Sequence, residues 1–136
     1  MNLEEYLINF DYEAREEMKI RIPELLELLK KGEAQLIDVR FKEEVKMWYF
    51  PFSKNIPLNE LPDRLGEIDK NKYVVTACPH YDRALIGRTF LIEKGYNVKY
   101  LVDGLLGLAD YLRGDNAKRL YDSLKTMNNK FDLFEN

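Results

Sequence analysis

Cysteine and histidine are almost missing from this chain: each occurs once in 136 residues. One cysteine excludes an internal disulfide, and one Cys/His pair with no second pair leaves no four-ligand zinc set. Long apolar runs are absent too, so nothing reads as a membrane span. The start, Met-Asn-Leu-Glu-Glu-Tyr, has neither the basic nor the apolar region of a secretory signal. Positive charge has no surplus: the net charge is −3, which argues against a nucleic-acid partner. No repeat, low-complexity tract or linker divides the chain, and no glycine-rich motif suggests a cofactor. These absences suggest a reducing, cytoplasmic setting in which a lone thiol stays available. What remains is 46% apolar and 33% charged, the composition of a globular protein whose length suits one domain over residues 1–136.

The order of elements is read from periodicity and turn residues. Leu3–Phe10 and Asp11–Met18 read as short helical pieces, together an N-terminal extension over residues 1–17. Lys19–Ile22 alternates as a short edge strand would, and Pro23 opens a helix with an apolar face of Leu25, Leu26, Leu28 and Leu29 that stops at Gly32. Gln35–Val39 reads as a buried strand and Phe41–Lys46 as a helical turn. Asn55–Leu58 suggests a brief strand, and Glu60–Ile68 a helix with Leu61 and Leu65 on one side. Tyr73–Ala77 is apolar and β-branched, a second buried strand, followed from Ala84 to Gly95 by a helix. Val98–Val102 is a further strand, Asp103-Gly104 a turn and Leu105–Leu112 a short helix. Asp115 is a candidate N-cap for a last helix whose stripe is Ala117, Leu120, Leu124, Met127 and Phe131, a C-terminal extension over residues 113–136. Strands alternating with helices imply an α/β fold: a central, mainly parallel sheet with helices on both faces.

The lone cysteine and the lone histidine fall in the same six-residue loop, Cys78-Pro79-His80-Tyr81-Asp82-Arg83, between a strand and a helix. Such a loop gathers backbone N–H groups, and the helix dipole adds partial positive charge. A cysteine there is expected to be a solvent-reachable thiolate, held below its free pKa of roughly 8.5. Asp38 and Arg40 end the preceding buried strand and should reach the same sheet edge, where ligands of open α/β sheets bind.

Four segments carry a resemblance: Leu36-Ile-Asp-Val-Arg40, Asn55-Ile-Pro57, Cys78-x-x-x-x-Arg83 and Leu101-Val-Asp-Gly104. In this order and spacing they resemble the single-domain rhodanese-like sulfurtransferase family across about residues 18–112. The resemblance implies that Cys78 is a nucleophile carrying sulfane sulfur as a persulfide. It makes Pro79, His80, Tyr81, Asp82 and Arg83 the active-site loop, and Asp38 and Arg40 its support from the neighbouring strand. Four residues between Cys78 and Arg83 match the sulfur-transfer loop; related phosphatases and arsenate reductases use a loop one residue longer. The chain departs from the family pattern at Trp48–Phe52, Tyr81 and Leu108. Tyr81 stands where glycine is usual, Pro79 removes an N–H from the cradle, and Asp82 brings a negative charge, all unfavourable to a dianion such as thiosulfate.

Each feature has a plainer reading beside the chemical one. Cys78 is a nucleophile or an inert core thiol, and His80 a proton-transfer group or a rim residue. Arg40 is a structural ion-pair member or a substrate-side cation. Arg83 sits in a helix first turn, where a cation is disfavoured, so it needs a carboxylate such as Asp38 or Glu44. The aromatic run Met47–Phe52 is core, a pocket wall or a docking patch. The expected activity is sulfur transfer from thiosulfate, a persulfide or a polysulfide to a thiol acceptor, small molecule or carrier protein, with no cofactor and no metal. The alternatives are a low-turnover sulfur-sensing or protein-binding module and, less favoured, a phosphatase. A homodimer stays open.

Overall fold

A computed structural model describes residues 2–125. The chain begins with two short helices, α1 (Leu3–Ile8) and α2 (Tyr12–Glu17). Their N-caps Asn2 and Asp11 accept backbone amides at 2.8 Å, from Glu4 and Ala14. Neither helix buries a residue of its own to the level of the core. The chain then alternates: β1 (Lys19–Ile20), α3 (Ile22–Lys30), β2 (Ala34–Asp38), α4 (Lys42–Met47) and β3 (Ser53–Asn55). A 3₁₀ segment (Leu61–Glu67) leads to β4 (Tyr73–Ala77), α5 (Asp82–Glu93), β5 (Val98–Leu101), α6 (Gly104–Tyr111) and α7 (Asp115–Lys125).

The five strands form one sheet in the order β1-β5-β4-β2-β3, with every pairing parallel. Strand side chains alternate between faces, and the core divides accordingly. Leu36, Val75, Ala77 and Leu101 meet α3, α6 and α7 through Leu25, Leu29, Leu105, Leu108, Leu120 and Leu124. On the other face Ile37, Val39, Val74, Cys78 and Val98 meet α5 and the 3₁₀ segment through Ala84, Leu91, Ile92 and Leu61. Burial of both faces explains why Leu36-Ile37 in β2 and Val74-Val75 in β4 are apolar on successive residues rather than alternating. Among the described residues, no helix is long and apolar enough to cross a membrane.

Some boundaries differ from the sequence reading, each for a local reason. Asn55–Leu58 is not a strand: the third strand is Ser53–Asn55, and beyond it Ile56 and Leu58 still donate to the Asp38 and Val39 carbonyls at 3.0 and 3.3 Å, while Pro57 between them has no N–H to give. Glu60–Ile68 is not an α-helix but a kinked 3₁₀ segment, with Pro62 in its first turn and non-helical dihedrals at Arg64. α5 begins at Asp82 rather than Ala84, so two loop residues lie inside the helix. The edge strand read over Lys19–Ile22 covers Lys19–Ile20, since Ile22 already belongs to α3, and the sheet is wholly parallel rather than mainly so. Met127 and Phe131 lie outside the described residues.

Leu25 is completely buried on α3, far along the chain from the Cys78 loop. Replacing it with alanine should lower unfolding free energy by about 2–5 kcal/mol, measurable as a fall in the urea midpoint.

Candidate active site

β2 and β4 are hydrogen-bonded neighbours, with Asp38 opposite Ala77. That register brings Asp38, Arg40 and Cys78 to the carboxyl edge of the sheet together. Cys78 is the first residue beyond β4, and its side chain points to the α5 face. Its Sγ accepts the Ala84 amide at 3.3 Å and lies 3.6 Å from Asp82 Oδ1, toward which the thiol donates. The amide cradle anticipated from sequence therefore faces the sulfur.

The expected thiolate does not follow from it. Cys78 has no exposed surface. Burial pushes its pKa up, the Ala84 and Arg83 amides pull the other way, and the adjacent Asp82 carboxylate pushes it up again. Desolvation outweighs the dipoles, so the resting sulfur is a protonated, covered thiol. The Asp82 carboxyl itself is held below the ordinary aspartate range, chiefly by the Arg83 amide, with further help from the Cys78 thiol.

The loop backbone is fixed from its other side. Cys78 O accepts the Leu105 amide at 2.9 Å and Pro79 O accepts the Leu106 amide at 3.3 Å, so the first turn of α6 grips the loop carbonyls. Gly104 makes this approach possible. Its φ is +71°, and a Cβ there would collide with the Pro79 carbonyl oxygen and come within 2.6 Å of the His80 carbonyl oxygen. The sequence places Gly104 in a turn and in the Leu101–Gly104 segment of the resemblance, but its contact with the loop carbonyls is not legible there. Tyr81 has φ −154°, so its replacement of glycine demands no left-handed backbone.

Around the loop, charges are paired. Arg83 makes a bidentate bridge to Glu44, at 2.7 and 3.1 Å, and Glu44 also accepts the Phe41 amide at the start of α4. The Arg83 guanidinium holds the Glu44 carboxyl below its usual range, against the effect of burial. Of the two carboxylates considered for Arg83, Glu44 is thus the partner. Arg40 is buried, with Nε at 3.0 and 3.1 Å from the Asp38 oxygens and Nη2 at 2.8 Å. Its Nη2 also donates to Trp48 O at 2.9 Å, and the guanidinium lies 4.3 Å from the centre of the Trp48 ring. Arg40 is spent on structure; losing either member of a buried pair of this kind costs about 3–5 kcal/mol. Trp48 meets Phe50 edge-to-face and Phe50 stacks on Phe52, with Phe50 and Phe52 half-buried against the α3/α6/α7 core and Met47 exposed. The aromatic run is therefore core at one end and surface at the other. His80, Tyr81 and Asp82 are exposed on the rim of the loop.

Comparison with known proteins gives a consistent picture. A family model described as the rhodanese-like domain matches residues 22–110. The HTH-type transcriptional regulator Rv0324 of Mycobacterium tuberculosis is 37% identical over 89 residues, covering 61% of this chain and 38% of the regulator. The thiosulfate sulfurtransferase GlpE of Pseudomonas syringae is 28% identical over 82 residues, covering 60% of this chain and 77% of the enzyme. The human single-domain sulfurtransferase TSTD1 superposes with a TM-score of 0.62 at 24% identity, over 68% of this chain and 96% of that one, a likeness of fold. The chain thus spans well under half of the regulator and most of the small sulfurtransferases.

The opposing influences on Cys78 set a pH dependence. Thiolate absorbance should develop above the ordinary cysteine range of about 8.5, because the folded pKa is raised. Asp82→Asn removes a neighbouring negative charge and should move the inflection to lower pH. A wild-type inflection below neutrality would contradict this electrostatic picture.

Proposed function

This chain belongs to the rhodanese-like domain family, and from that membership we propose that it is a sulfurtransferase using Cys78 as its sulfur carrier. The observation that carries the reading is the Ala84 amide directed at Sγ from the first turn of a twelve-residue helix. That amide, with the dipole behind it, stabilises negative charge on Cys78 Sγ, the attacking atom of the first half-reaction and the leaving atom of the second. In the first half-reaction the Cys78 thiol gives up its proton to solvent, and the resulting thiolate attacks the outer sulfur of a donor. A new S–S bond forms, the donor's own bond to that sulfur breaks, and its electron pair leaves with sulfite, a thiolate or a shortened polysulfide. In the second half-reaction an acceptor thiolate attacks the outer sulfur of the Cys78 persulfide and the Cys78 thiolate departs.

Because the thiol is covered at rest, donor entry requires a local opening beside Cys78, where Asp82 is the side chain held against Sγ, while Pro79 stays tied through its carbonyl to α6. In this reading Arg83 is a positioning residue acting through Glu44. Asp38 and Arg40 act one step further back, by fixing the segment that enters α4. A lone, unpaired cysteine fits a reducing compartment such as the cytoplasm.

Complete burial of Cys78 also favours a second reading, a sulfur sensor that loads once and turns over slowly. Excess donor with cyanide as acceptor separates the two. Thiocyanate released in many-fold excess over protein, and reduced to background by Cys78→Ser, supports the transferase. A single equivalent supports sensing, and release that is unchanged in Cys78→Ser overturns both.

A further inference from the structure

Asp82 is the first residue of α5, with its carboxylate beside the Cys78 thiol, Oδ1 lying 3.6 Å from Sγ. The Arg83 amide, which should greet an incoming anion, is the chief group stabilising that carboxylate. The chain thus places an anion of its own at the helix end where a donor's oxyanion would otherwise sit. The nearby cations do not offset it. Arg83 is neutralised by Glu44 and Arg40 by Asp38, each through a two-point bridge. Pro79 contributes no N–H, and the first amides of α6 are spent on the Cys78 and Pro79 carbonyls. His80 is the remaining basic side chain of the loop and is exposed on the rim.

Resting on the sulfur-transfer reading, we infer that Asp82 is a specificity-determining residue that excludes dianionic donors and selects sulfane-sulfur compounds of lower charge, with hydropersulfides as the favoured class. A dianion must displace the Asp82 carboxylate from the cradle and lie beside it; a hydropersulfide need do neither. Its transfer balances without any other reactant. The Cys78 thiolate bonds to the outer sulfur of R–S–SH, the S–S bond joining that sulfur to the R–S group breaks, and R–S⁻ leaves with the electron pair and Cys78–S–SH behind it.

A matched pair of donors isolates charge. Thiosulfate and methanethiosulfonate both present a sulfane sulfur on a tetrahedral sulfur centre, but the first is a dianion and the second a monoanion. Loading of Cys78, measured as kcat/KM for each, should favour methanethiosulfonate in the wild-type protein. Asp82→Asn should raise the thiosulfate value relative to the other by roughly ten-fold, the order of one unit-charge interaction over a few ångströms when the carboxylate is exposed to water. Asp82→Ser, which keeps an oxygen acceptor for the helix amides, should do the same. Added salt should narrow the wild-type preference by screening. If both donors load Cys78 but wild type prefers thiosulfate, or neither substitution changes the ratio, the inference is overturned. If neither donor loads Cys78 in any of these proteins, the sulfur-transfer reading fails, and the inference falls with it.

Discussion

Everything in the site depends on one residue being held from two directions. The Cys78 sulfur receives the Ala84 amide of α5, and the Cys78 carbonyl receives the Leu105 amide of α6. Two helix N-termini therefore converge on a single residue at the end of the central strand. The arrangement requires a position 104 with no side chain, because any Cβ there would occupy the space of the loop carbonyls. It also requires a parallel sheet, since only that topology sends β4 and β5 into helices at the same edge.

The rest of the frame transmits rigidity to this clamp. The buried Asp38–Arg40 pair lies opposite the end of β4 and holds the Trp48 carbonyl, while Asn55 ties the Asp38 and Arg40 carbonyls together. That fixes the chain entering and leaving α4. Glu44 on α4 then reaches Arg83, so the loop is braced at its far end by a bridge whose contribution is geometric. Partly exposed ion pairs of this type add only about 0.2–1 kcal/mol. Arg83 is a cation in a helix first turn, and the Glu44 carboxylate compensates for that unfavourable placement.

Much of this was legible in the chain. Tyr73–Ala77 and Gln35–Val39 are short and apolar because both sheet faces are covered, and the Cys78–Arg83 interval marks a strand-to-helix loop. Asp38, Arg40 and Cys78 could be assigned to one edge from strand order alone. Other features depend on packing that no local pattern records. Whether a cysteine at a helix end is a thiolate is decided by amide dipoles against desolvation, and here full burial and Asp82 reverse the sign expected from the loop alone. The role of Gly104 depends on a contact with residues 79 and 80, distant along the chain. Likewise the choice of Glu44 over Asp38 as partner for Arg83 follows from Asp38 being occupied by Arg40.

The central claim is that this covered sulfur accepts a second one. Its most direct measurement is the intact mass of the purified chain after exposure to polysulfide and removal of the excess. A gain of one sulfur atom is expected on the wild-type chain, lost on treatment with a thiol reductant and absent in Cys78→Ser. An unchanged wild-type mass, or the same gain in Cys78→Ser, would contradict it.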